Sequence, residues 1–324
     1  MTAARIVALL GFVLVAFAAG LSLGAVPLGL DVWGDLVRGA PDGGAAILRD
    51  VRLPRVVLAF LVGGALAVAG AGLQAIVRNP LADPYLVGLS GGAGLGAVLA
   101  IALDAGGPWA VPLAAFAGAA GAVALVYRLS LVVGGRLDPY VLLLGGVVVG
   151  SFAGALMSAI ITLSDAAELR SAVLWLLGGF GLASWRAVTV FGAYAVAPLA
   201  VLFASARALD LVALGEESAQ YLGADVERVK RRVYLSTAAL TGAAVAVSGV
   251  VGFVGLVVPH AMRRLWGPLH RGLLPGAFLA GGAFLVLADV IARTAFRPRE
   301  LPVGVVTALV GVPVFALLLR RKLA

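Results

Sequence analysis

At 324 residues, 62% hydrophobic and 12% charged, with a mean hydropathy of +1.09, the chain has too few polar side chains to cover a water-soluble core; soluble domains carry about 25% charged residues. The surplus apolar surface faces lipid, and the 44 glycines suit helices that approach closely in a membrane. Cysteine is absent, which excludes disulfides and thiolate metal sites. The net charge of +8 is split among apolar segments rather than gathered on one domain, so it reads as the loop bias of a membrane protein and not as a nucleic-acid surface.

A membrane span needs about 20 largely apolar residues. Walking the chain gives ten candidates, at 5–26, 54–76, 85–103, 109–129, 140–163, 187–206, 232–250, 252–266, 273–293 and 302–320. The first resembles a secretory signal from Ile6 to Ala19 behind Arg5, but its apolar run continues to Val26, so it is read as a span. The seventh and eighth are parted only by a Gly-rich turn at Ser248–Gly252, and Pro259 interrupts the eighth.

With the N-terminus inside, fifteen of the 24 bases fall on inner loops, including Arg78, Arg128, Arg136, Arg228–Lys230–Arg231–Arg232 and the tail Arg320–Arg321–Lys322. Outer bases lie among acids such as Asp31, Asp35, Asp42 and Asp50, so the bias places both termini in the cytoplasm. An internal repeat agrees with the count. Gly63, Ala65, Ala67, Val68, Gly70, Pro80 and Gly88 recur at one offset as Gly242, Ala244, Ala246, Val247, Gly249, Pro259 and Gly267. The copies lie five spans apart, an odd number, which predicts an inverted repeat with a pathway at its interface.

Polar or broken stretches at membrane depth are costly and mark function. From Gln74 to Gly92, Pro80 and Pro84 interrupt the backbone while Asn79, Asp83 and Ser90 offer local hydrogen bonds, a pattern that favours a structured re-entrant element over a simple turn. From Ala208 to Arg232 the chain turns polar: Glu216 to Leu222 suit a short helix ended by Gly223, and Asp225 suits the cap of another. An apolar ridge of Ala219, Leu222 and Val226 marks this knob as a docking surface. Arg49, Arg52 and Arg55, with Arg293, Arg297 and Arg299, serve equally well as headgroup anchors or as receivers of acidic groups from a soluble partner. Asp289 and Arg293, one turn apart, read as a structural pair before a proton relay.

Catalytic chemistry is missing. Neither lysine, Lys230 or Lys322, follows the glycines that a nucleotide-binding loop requires, His260 and His270 lack metal-site spacing, and no G-x-S-x-G occurs. Active transport then needs an ion gradient or a separate ATPase.

The stretches R-L-P-R at 52–55, Q-A-I-V-R-N-P-L-A-D-P at 74–84, L-S-G-G-A-G at 89–94, L-G-E-E-S-A-Q-Y-L-G at 214–223 and G-F-V-G-L-V-V-P-H at 252–260 resemble the FecCD/BtuC-type permeases for iron–siderophore, haem and vitamin B12 import. So do L-L-P-G at 273–276, A-D-V-I-A-R at 288–293 and E-L-P-V-G-V-V-T-A-L-V-G-V-P-V-F at 300–315. The resemblance runs nearly the whole chain in order. It implies an all-α membrane protein of type II ABC importer fold: a homodimer of ten-helix subunits forming one permease domain over 1–324, with coupling helices at 208–232. Two cytoplasmic ABC ATPases would use ATP and Mg, no cofactor would bind this chain, and a periplasmic or lipid-anchored binding protein would deliver substrate. The implied site residues are Arg52, Arg55 and Arg293 for binding-protein docking and Asn79, Leu81, Pro139 and Tyr140 for the cytoplasmic gate. Glu216, Glu217, Ala219, Leu222 and Gly223 would couple to the ATPase. Asp138–Pro139–Tyr140 departs from the small hydroxyl residues of the vitamin B12 permease, whereas L-R-S-A-V-L-W-L-L-G-G-F-G at 169–181 resembles that permease closely. The expected setting is a bacterial or archaeal cytoplasmic membrane, and the alternative is a secondary transporter driven through Asp289.

Overall fold

The computed structural model describes residues 3–24, 26, 43–135 and 137–323. Asp31, Asp35, Asp42 and Arg136, and the side chains of Arg320, Arg321 and Lys322, lie outside the described residues. Helices dominate: α1 (Ala3–Ser22), α2 (Leu53–Val77), α3 (Leu89–Ala102), α4 (Ala110–Gly134), α5 (Pro139–Leu163), α6 (Ala166–Leu176), α7 (Trp185–Ala204), α8 (Ala206–Ala213), α9 (Glu216–Tyr221), α10 (Val226–Ser248), α11 (Val254–Trp266), α12 (His270–Thr294) and α13 (Val303–Leu323). Each of the ten apolar stretches becomes a helix.

Among the described residues, six helices are long and apolar enough to cross a bilayer: α1, α2 with its lead-in from Gly44, α4, α5, α7 and α12. α3 and the Val303–Leu317 part of α13 are apolar but shorter. α10 opens on the charges Glu227, Arg228, Lys230, Arg231 and Arg232, and α11 has only 13 residues. Local chemistry sets the boundaries. Pro54 sits where a π-helical lead-in over Ile47–Arg52 passes into α2, the kind of helix irregularity that accommodates a residue without an N–H. α2 closes at Arg78 in the left-handed region, with Asn79–Pro80 blocking continuation. α6, which composition did not foretell, starts at a capping box formed by Asp165 and Glu168.

α2 is the hub, with 21 of its 25 residues buried. Small residues allow this. A β-carbon on Gly63 would strike the carbonyl of Gly281 in α12, and one on Gly70 would strike that of Gly255 in α11. In a bilayer such close approach, rather than a hydrophobic drive, holds helices together.

The repeat is visible in the pairing of helices. α3 packs on α4 as α11 packs on α12; α2 meets α12 as α10 meets α4; α2 meets α11 as α10 meets α3; and α5 contacts α3 and α4 as α13 contacts α11 and α12. α2–α5 and α10–α13 are thus matching units. The sequence register holds only along the first helix of each. Beyond Gly70 it drifts, because residues 78–88 link α2 to α3 while the shorter 249–253 links α10 to α11. Pro80 therefore sits in a turn but Pro259 inside α11, and Gly88 precedes α3 whereas Gly267 ends α11.

Candidate functional site

Two ends of the bundle carry its polar chemistry. At the end where α1 begins, α8, α9 and the first turns of α10 form a projecting knob. Glu216 opens α9, and Gly223 turns the chain at φ +83° as Gly223 N–H reaches Gln220 O at 2.9 Å. Asp225 then caps α10 by accepting from Arg228 N at 3.0 Å. The short helix and both stop signals are as the sequence predicts. The ridge is not. Ala219 and Val226 are buried against Val212 in a miniature core, because α8, at the start of the 208–232 stretch, supplies an apolar face that the sequence analysis does not single out. The apolar groups that the knob presents outward are Leu214, Tyr221 and Leu222, and Glu217 is exposed beside them.

Beneath the knob lies Lys230, 2% exposed. Its ammonium stands 2.7 Å from Glu216, 3.6 Å from Glu227 and 3.1 Å from the carbonyl of Leu137. Glu227 also accepts from Leu137 N at 3.1 Å. The next residue, Asp138, caps α5 by accepting from Tyr140 N and Val141 N, with Pro139 in the first turn. Sequence reading missed Lys230, since a lysine within a run of arginines reads as loop charge.

The predicted re-entrant element is ordered. Asn79 Oδ1 accepts from Leu81 N at 3.0 Å, Asp83 caps a 3-10 turn over Pro84–Val87, and Gly88 adopts φ +78° before α3. Buried Gln74 fastens the loop: its amide donates to Ala82 O and Gly255 O, both at 3.1 Å, and its carbonyl accepts from Arg263. Tyr85 OH accepts from Val251 N at 3.3 Å. The loop meets α5 at Gly88 and Gly146, where a β-carbon on Gly88 would come within 3.0 Å of Gly146 O. That contact lies roughly two turns along α5 from Pro139 and Tyr140. Asn79 and Leu81 are half-buried, and Tyr140 is exposed.

At the opposite end, the three arginines assigned to docking face inward. Arg52, Arg55 and Arg293 are 4%, 9% and 3% exposed. Arg52 donates to the carbonyls of Leu21, Ser22 and Val26, closing the C-terminal end of α1. Arg55 grips Asp289 with Nη2 to Oδ1 at 2.9 Å and Nε to Oδ2 at 3.0 Å, and also holds Glu300 at 2.9 Å. Arg293 lies 3.5 Å from Asp289 and donates to Gly20 O. The i, i+4 pair is present, but Arg55 is the chief partner of Asp289. Among the described residues, the arginines exposed at this end include Arg49, Arg186, Arg297 and Arg299.

A bundle of long apolar helices with an internal repeat and a charged knob at one end is the construction of a polytopic membrane protein. The profile of the FecCD transport family matches residues 12–321, and the chain belongs to that family. It is 45% identical over 285 residues to the cobalamin import system permease protein BtuC of Halobacterium salinarum, covering 88% of this chain and 76% of that one. It is 42% identical over 282 residues to the hemin transport system permease protein HmuU of Yersinia pestis, covering 84% and 83%. Among solved structures it matches a candidate metal-chelate type ABC transporter in an inward-facing conformation, with TM-score 0.86, 30% identity, and 97% and 98% of the two chains covered. The fold is accordingly the all-α, type II ABC importer permease fold.

Proposed function

We propose that this chain is the membrane subunit of an ATP-driven importer for a metal chelate of the iron–siderophore, haem or cobalamin class. It works as a homodimer in the cytoplasmic membrane, both termini inside, with two ABC ATPases seated on the knobs. A single permease domain spans 1–324, and 208–232 form its coupling helices. The chain itself binds no cofactor; ATP and Mg are spent in the partner. One observation carries the reading: the knob of α8 and α9 offers Glu217, Tyr221 and Leu222 to a partner, yet the chain has no nucleotide-binding loop of its own.

Glu216, Glu217, Leu222 and Gly223 shape that contact, with Ala219 supporting it from within. Asn79 and Leu81 on one side, and Pro139 and Tyr140 on the other, form the cytoplasmic gate. A substrate-binding protein docks at the arginine end. Arg52, Arg55 and Arg293 brace that surface from inside, while Arg49, Arg297 and Arg299 present charge. The outward apolar side chains of α5, Leu144, Val148 and Phe152, suit the second subunit or lipid.

Reconstitution into liposomes with the cognate ATPase and binding protein tests the proposal. Uptake is expected to require ATP and both partners; uptake by the permease alone overturns it. The alternative of an ion-driven carrier predicts uptake that collapses with an uncoupler at constant ATP, and the ion pairing of Asp289 with Arg55 and Arg293 speaks against it. The absorption spectrum of the ligand retained by the binding protein distinguishes haem, corrinoid and ferric siderophore.

A further inference from the structure

A buried ammonium is costly unless its donors are satisfied. Lys230 has three, and its three neighbours belong to three places: Glu216 at the start of α9, Glu227 on its own helix, and the carbonyl of Leu137 between α4 and α5. Glu227 takes the N–H of the same residue. The peptide groups of Leu137 are therefore held on both sides by charges of the knob. Leu137 is itself 1% exposed, and its neighbour Asp138 holds the first amides of α5. On the other side, the Val212–Ala219–Val226 core makes α8, α9 and the start of α10 one small body.

We infer that Lys230 is the positioning residue that joins the ATPase-driven knob to the α4–α5 loop, so that movement of α9 is delivered to the first turn of α5 and its gate residues Pro139 and Tyr140. The inference rests on the proposed ATPase coupling and adds the route inside this chain. Among the described residues no hydrogen bond or ion pair runs from the knob to the Asn79 loop, whose fastenings are Gln74, Arg263 and Val251; α8 packs on α2 and holds His270 of α12 through Asp210. Knob motion then reaches the two sides of the gate unequally, with α5 leading.

The test uses the complete transporter with ATPase and binding protein in liposomes, comparing Lys230→Met, which keeps the stem and removes the charge, with Lys230→Arg. Spin labels replace exposed Gln220 on α9 and exposed Leu144 on α5. With wild-type Lys230, nucleotide is expected to shift both labels relative to the ATPase. Lys230→Met is expected to keep ATP hydrolysis and the Gln220 shift, lose the Leu144 shift, and import about tenfold less substrate per ATP, the scale of a typical coupling between sites. Lys230→Arg is expected to restore most of both. Wild-type stoichiometry and an unchanged Leu144 shift in Lys230→Met overturn the inference. Should Lys230→Met fail to assemble, Glu227→Ala at an exposed position removes the Leu137 N–H tie and the longer 3.6 Å contact with Lys230, leaving Lys230 on Glu216 and the Leu137 carbonyl; a partial loss of substrate per ATP supports the route, and wild-type stoichiometry rejects it. A Gln220 label that stays still on nucleotide addition in the unmutated complex would instead refute the proposed ATPase coupling.

Discussion

Gly70 of α2 and Gly255 of α11 stand backbone to backbone, so close that a β-carbon on Gly70 would overlap the Gly255 carbonyl. Gly70→Ala is expected to destabilise the fold by about 1–3 kcal/mol, the usual cost of overpacking. Thermal unfolding in detergent checks this, with Gly121→Ala as control, since a β-carbon there meets no atom within 4 Å. Equal melting of the two variants would show that the α2–α11 seam yields without strain.

Gln74→Leu leaves the carbonyls of Ala82 and Gly255, and the Arg263 guanidinium, without their partner. Each orphaned buried group costs about 1–3 kcal/mol. Hydrogen exchange is expected to rise selectively over residues 78–83, before global unfolding.

Asp289→Ala leaves Arg293 without a carboxylate and Arg55 with Glu300 alone. Breaking a buried pair from one side costs about 3–5 kcal/mol, whereas replacing both partners with apolar groups is often neutral. Thermal stability is therefore expected to fall steeply in Asp289→Ala and recover in Arg55→Met/Asp289→Leu/Arg293→Met, which replaces all three charges. ATP-driven uptake by a recovered triple variant would also exclude a proton relay through Asp289.

Glu217→Lys places a reversed charge on the exposed knob and is expected to impair ATPase engagement with membrane insertion intact. Glu216→Lys acts differently, setting a second cation against buried Lys230. It is expected to lower stability as well. Pull-down of the ATPase and melting temperature separate the two outcomes.

Arg297→Glu/Arg299→Glu is expected to weaken binding-protein affinity, more at low than at high salt, because the exposed charges are screened. Arg52→Glu, by contrast, should lower stability, since it removes donors from the end of α1.

Span positions were legible because apolar runs of bilayer length have few other uses. Local boundaries were legible too: Gly223, which ends α9, and Asp225, which caps the start of α10, act through their own backbone neighbours. Side-chain facing was not. A six-residue helix such as α9 shows too little periodicity to say which side is inward, and the partner of Ala219, Val212, comes from α8, a separate helix at the start of the stretch that reads as polar. Arg55 looked like a surface anchor because its acceptors, Asp289 and Glu300, lie 234 and 245 residues away. Lys230 was hidden by its basic neighbours for the same reason: nothing near it in sequence announces Leu137.

The distance between Arg55 and Asp289 along the chain has a consequence for biogenesis. Translation delivers α2 long before α12 leaves the ribosome. Until then Arg55 in the first turn of α2 has no counter-ion and must reach toward water at the membrane surface, as long basic side chains do. Enclosure of α2 is therefore a late step, timed by the arrival of the Asp289 and Glu300 carboxylates, and a nascent chain truncated before residue 289 should leave that helix head open to aqueous labelling reagents.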